Sequence, residues 1–217
     1  MRNKFEREME ELNADVIKMG EFIETTILKA MEALKTNNKI LAKEVYENDY
    51  QANELEYKIE KKSLRILLTE QPVAKDLRTI STALKMITDM ERICDQGADI
   101  AEIIMSFEGD AGEGSELLYE MADKCVKMVV RSIESFVNHD ASLASAVIDS
   151  DDEVDRLFLE VRKKLIEAIQ VDSKNGELFI DYFMIAKYLE RIGDHAQNIA
   201  EWVIFNVTGV RKQKRIL

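Results

Sequence analysis

Carboxylates recur at four-residue spacing in two separate parts of this chain. Glu91, Asp95 and Asp99 form one series; Glu190 and Asp194 form the other, with Asn198 at its third place. Residues four apart share a helix face, so each series forms an acidic stripe. Left unneutralised, such neighbours repel by about 0.2–0.5 kcal/mol per pair. Matching pairs stand upstream of each stripe, Asp49 with Asn53 and Asp151 with Asp155. Hard oxygen donors in this density suit a metal cation, and a cation would cancel the repulsion. The spacing leaves the ion open among iron, zinc, manganese, magnesium and calcium. The plain alternative is a solvated charged face, with Arg92 and Arg191 neutralising part of each stripe.

Other chemistry is sparse. His195 adjoins Asp194, and a single helical histidine is more often a hydrogen-bonding residue than a ligand. His139 falls in an expected turn and is expected to be exposed. No Glu-xx-His pair supports a ferritin-type di-iron site. A Gly-rich phosphate loop, a HExxH helix and a nucleophile elbow are also missing. No catalytic residue and no organic cofactor site are therefore expected, and the chain does not read as an enzyme. The ten methionines mostly occupy helical seams and read as core.

Composition narrows the classes further. Forty-two acidic against 30 basic residues give a net charge of −12, which disfavours nucleic acid as a partner. No stretch approaches the ~20 apolar residues that span a bilayer. The opening MRNKFEREMEELNAD does not read as a secretory signal. Cys94 and Cys125 cannot frame a disulfide scaffold, so a cytoplasmic location is expected.

Eight glycines, one proline and long 3.5-residue periodicities imply an all-α fold of six long helices. Phe5, Met9, Leu12, Val16, Met19, Ile23, Thr26, Ala30 and Ala33 mark the first, and Thr26 alone among them is not apolar. Leu41 to Ile66 carries the second. It ends near Gln71-Pro72, and Pro72 is expected in the first turn of the third. Glu108 to Gly114 reads as a linker, followed by segments from Leu118, from Leu143 and, after a Val171–Gly176 turn, to about Val207. The halves repeat. The twelve residues from Glu91 and the twelve from Glu190 are identical at seven positions, at an offset of 99, while the upstream pairs repeat at 102. Two tandem pseudosymmetric three-helix bundles follow, residues 1–107 and 115–217, the second ending in a basic tail of Arg211, Lys212, Lys214 and Arg215. In antiparallel hairpins, Asp49 and Asp95 are equidistant from Pro72, as are Asn53 and Glu91. Asp151 with Asp194, and Asp155 with Glu190, are equidistant from the second turn. Each upstream pair should then face its stripe.

These residues resemble the PhoU family of phosphate-signalling regulators. Gln71-Pro72-Val-Ala-Lys-Asp-Leu-Arg78, Glu91-Arg-Ile-Cys-Asp95 and Leu189-Glu-Arg-Ile-Gly-Asp-His195 carry the likeness, over nearly the whole chain. Cys94 stands where glycine is usual, and Asn53 and Asn198 occupy acidic-type positions. The resemblance implies metal clusters on the duplicated stripes in some members, and a cytoplasmic, non-catalytic, often homodimeric protein. It implies negative regulation of the phosphate-starvation response, coupling the ATPase of a high-affinity phosphate transporter to a sensor histidine kinase. Membrane association would then be peripheral, through those partners. A metal-storage bundle, or an accessory of a low-affinity phosphate carrier, is the alternative.

Overall fold

A computed structural model of the chain describes residues 2–107 and 115–210. The expected linker at 108–114 and the basic tail from Arg211 lie outside the described residues. The elements are α1 (Arg2–Thr36), α2 (Lys39–Glu47), α3 (Tyr50–Glu70), α4 (Lys75–Ser106), α5 (Glu116–Val137), α6 (Ala141–Val171), a 3-10 turn (Ser173–Asn175) and α7 (Gly176–Thr208). The described residues are helical with no strand, as the periodicity requires. At 1.5 Å per residue, the 35 residues of α1 extend about 50 Å.

The six expected segments are present, with one interruption. The second divides into α2 and α3 at Asn48–Asp49, where both residues tend to favour local bonds over a helical ladder. Asn48 Oδ1 accepts from Gln51 Nε2 at 2.7 Å, and the backbone N–H of Ala52 bonds the carbonyl of Asp49. The equivalent stretch of α6 runs unbroken. Pro72 lies in the loop before α4, outside its first turn, where Gln71 and Ala74 take positive φ values of 49° and 46°.

The entries to α2 and α6 show how local chemistry repeats. Asn37 and His139 take left-handed conformations at φ 48° and 52°. Asn38 and Asp140 follow them and cap the next helix, each accepting from two backbone N–H groups at 2.9–3.1 Å. His139 is half-buried rather than exposed, because Asn206 at the end of α7 packs on it, Nδ2 to Nδ1 at 3.2 Å.

The halves share one core. α4 and α7 run antiparallel through the middle, and α1 packs on α5. Thr79 Oγ1 donates to Asn206 Oδ1 at 3.0 Å, joining the start of α4 to the end of α7. Close approach is set by two glycines. A Cβ on Gly20 would stand 2.5 Å from Ile133 Cδ1, and one on Gly97 would stand 2.7 Å from Thr26 Cγ2. Thr26 is thereby explained: its hydroxyl donates to the Phe22 carbonyl at 2.9 Å and its methyl packs on Gly97. No helix among the described residues is long and apolar enough to cross a membrane.

Candidate functional site

The α3–α4 hairpin turns back at Gln71–Ala74 and brings its acidic positions together. Asp49 lies at the break between α2 and α3, half-buried, and its Oδ1 is shielded from water with no hydrogen-bond partner. Burial first, then the charges of Asp95 and Asp99, raise its carboxyl above the usual range. Glu91 is raised by burial and then by Asp95, with Arg92 opposing and Glu56 and Asp49 adding smaller pushes. Asp99 is raised by burial, then by Asp95 and Glu102, against the pull of Arg191. Asp49, Glu91, Asp95 and Asp99 thus share one negative field. Asn53, the expected carboxamide of this group, is exposed on α3.

Positive charge offsets this field only in part. Arg92 places Nη1 3.1 Å from Asp95 Oδ2 and Nε 3.7 Å from Glu91 Oε2, from a side chain that is 58% exposed. Solvent screening leaves such pairs weak, typically 0–1 kcal/mol. Arg191 lies over the Tyr188 ring at 5.9 Å.

In the second half, Asp151 is buried on α6, while Asp155 and Asp194 are exposed and Glu190 is half-buried. Gly193 makes the space: a Cβ there would stand 3.2 Å from Asp151 Oδ1 and 3.3 Å from Val154 Cγ1. Glu190 pairs with Lys187 one turn before it. Asn198 turns its amide across the molecule and donates to Asp89 Oδ1 of α4 at 3.4 Å. His195 approaches the same oxygen through Nδ1 at 2.9 Å, so this histidine makes a hydrogen bond to a carboxylate.

The equivalent of Gly193 in the first half is Cys94, buried, its thiol pushed well up by burial and then by Asp49, Asp95 and Glu91. Cys125 is raised by burial and then by Asp151, and its thiol donates to the Leu189 carbonyl at 3.1 Å. Neither thiol is poised as a nucleophile.

Sequence reasoning passed over Glu56, which belongs to the first nest. It accepts from Thr88 Oγ1 at 3.3 Å, and its carboxyl is raised by burial against that bond. Glu56 and Thr88 are equidistant from Pro72, so the hairpin rule that paired Asp49 with Asp95 already contained it. Asp89 was also missed, since its partners lie on α7 and no hairpin relates them.

Could these residues hold a cation? Among the described residues, no three His, Cys, Asp or Glu side chains are already placed to hold a metal ion. The donor chemistry of the first nest nevertheless fits one, with an unsatisfied buried oxygen on Asp49 and raised carboxyls around it.

Comparison with known proteins adds independent findings. The PhoU domain family matches residues 16–104 and again 118–203. A "phosphate-specific transport system accessory protein PhoU homolog" of Clostridium acetobutylicum is 32% identical, over 96% of this chain and 96% of its own length. Homolog 1 of Thermotoga maritima, carrying the same description, is 37% identical over 94% and 89%. The crystal structure of PhoU from Pseudomonas aeruginosa matches with a TM-score of 0.89 and 33% identity, covering 95% of this chain and all of that one.

Proposed function

The chain belongs to the PhoU family, and from that premise we propose that it is an accessory regulator of a phosphate-specific transport system. It acts in the cytoplasm, without catalysis of its own, and lowers the phosphate-starvation response when phosphate is plentiful. It does so by coupling the transporter's ATPase to a sensor histidine kinase, reaching the membrane only through them. The homodimer is its working form. The observation that carries the reading is the family match over both halves, at full length in the Clostridium relative. The long helices support it by offering continuous docking faces rather than an enclosed cavity.

The metal reading is part of the proposal. Asp49, Glu91, Asp95 and Asp99, with Asn53 at the rim, would hold one cation group. Asp151, Asp155, Glu190 and Asp194 would hold the other, with Asn198 joining if it leaves Asp89. A bound cation would supply positive charge able to take phosphate or a partner's carboxylate, and would remove the repulsion that adds to burial in raising three carboxyls. The support is the orphaned oxygen of Asp49 and the duplication of the acidic series.

Affinity capture of the tagged chain from phosphate-replete cells tests the regulatory reading. The expected result is co-purification of a phosphate-transporter ATPase or a sensor kinase, with a starvation reporter rising on deletion of the gene. Capture of neither, with an unchanged reporter, overturns it. Sedimentation of the purified chain checks the dimer.

A further inference from the structure

Exposed apolar side chains form a pattern that folding does not account for. On α3, Tyr57 and Leu64 are 63% and 46% exposed; on α6, Leu159 and Ile166 are 59% and 48% exposed. Each pair is one heptad apart, and at the repeat offset of 102 they are the same two positions. The likeness extends to the hollows around them. One is lined by Tyr57, Glu60, Lys61, Leu64, Arg65 and Leu68, with Thr69 at its end. The other is lined by Leu159, Arg162, Lys163, Ile166, Glu167 and Gln170, the equivalents of the first six in order.

A single exposed leucine needs no explanation. Here apolar residues recur at matching surface positions in both halves, while the identities around them change. Tyr50 extends the first seam by another heptad at 58% exposure, and Leu68 widens it at 81%. Seven-residue spacing on a helix surface is the seam into which a second helix sets its own apolar side chains.

Charge selects the occupant. Lys61 and Arg65 outnumber Glu60 in the first hollow, and Arg162 and Lys163 outnumber Glu167 in the second, on a chain whose net charge is −12. Lys61 lies over the Tyr57 ring at 5.8 Å, and Arg162 and Lys163 make no salt bridge among the described residues. Two copies of such a seam would set like charges together, so self-pairing is disfavoured. We propose that the outer faces of α3 and α6 are two equivalent docking seams for an acidic-flanked amphipathic helix of a partner protein. The proposal is independent of the acidic nests and of the transport reading.

The test uses the full chain and a fluorescent synthetic helix about three heptads long, with leucine at a and d and glutamate at e and g. Anisotropy titration is expected to give two sites per chain. Leu64→Ser and Ile166→Ser should each remove one, and the double variant both, with circular dichroism unchanged because these positions are exposed. Lys61→Glu with Lys163→Glu should weaken binding about tenfold. Unaltered binding by the double serine variant overturns the proposal, as does equal binding of a lysine-flanked helix of the same pattern. Two other outcomes also overturn it, by naming a different occupant. One is a serine variant that turns a dimer into monomers. The other is a serine variant that loses binding to phosphatidylglycerol-containing vesicles while keeping the peptide.

Discussion

Asp49 and Asp151 occupy equivalent places in the two halves, yet their surroundings differ in kind. Asp49 stands at a helix break, half-buried, with one oxygen unsatisfied and the charges of Asp95 and Asp99 in its field. Asp151 stands inside an unbroken helix, 7% exposed, in room left by Gly193, while its acidic companions are exposed or paired with Lys187. Duplication has preserved most of the acidic positions and changed the electrostatics. The difference comes from where the backbone breaks, from the thiol of Cys94 against the bare Gly193, and from Asp99, whose charge acts on Asp49 while its equivalent Asn198 is neutral. The first nest is accordingly the one that gains more from a cation.

The largest effect should come from metal. At a hundredfold excess over Kd, a cation bound only by the folded chain stabilises it by about 2.7 kcal/mol. For a chain of this size that raises Tm by roughly 5–10 °C, read by calorimetry against a chelated sample. Asp95→Ala should remove more of that rise than Asp194→Ala. Equal losses would erase the distinction between the nests.

Exchanging the residues that separate the halves sharpens the comparison. Gly193→Cys forces a side chain against Asp151 and Val154, and should cost about 1–3 kcal/mol in urea unfolding. The reciprocal Cys94→Gly loses packing and helix propensity, at roughly 1–2 kcal/mol.

Asp49→Asn without metal should do the reverse of most buried-site changes and stabilise the chain at neutral pH. Removing a repelled carboxylate gains about 0.5–1 kcal/mol. Asp15, on α1, is the control, because it meets two lysines of α3 rather than other carboxylates. It lies 2.5 Å from both Lys58 and Lys62, which overcome its burial and hold its carboxyl low. Asp15→Asn should therefore destabilise, by about 1–2 kcal/mol, since it strands two lysines.

The smallest effect is that of pH. Asp49, Glu91 and Asp99 bind protons more readily folded than unfolded. Their share of stability rises as pH falls through their raised values and is complete below the ordinary carboxyl range, near 4. The share from Asp15 is present above the ordinary value and is lost as pH falls through its lowered one. In chelator, Tm should thus increase slightly from pH 7 toward 5, and Asp49→Asn should flatten that slope.

Much of this geometry was legible beforehand because helical periodicity and hairpin symmetry are local rules. The spacing from Pro72 brought Asp49 near Asp95, and it would have found Glu56 opposite Thr88 had it been applied to every carboxylate. The turn at His139 was expected, though not that Asn206 would bury the ring.

By itself the sequence determined the all-α class, the duplication, the helix limits to within a few residues and the carboxylates that share a face. These follow from side-chain period and capping, which act over a few residues. Tertiary structure alone decided that Asn198 turns to Asp89, that Thr26 exists to meet Gly97, and that one acidic nest is more crowded than its twin. Those outcomes depend on which helix lies across another and how closely it approaches, and no spacing along a single chain encodes that distance.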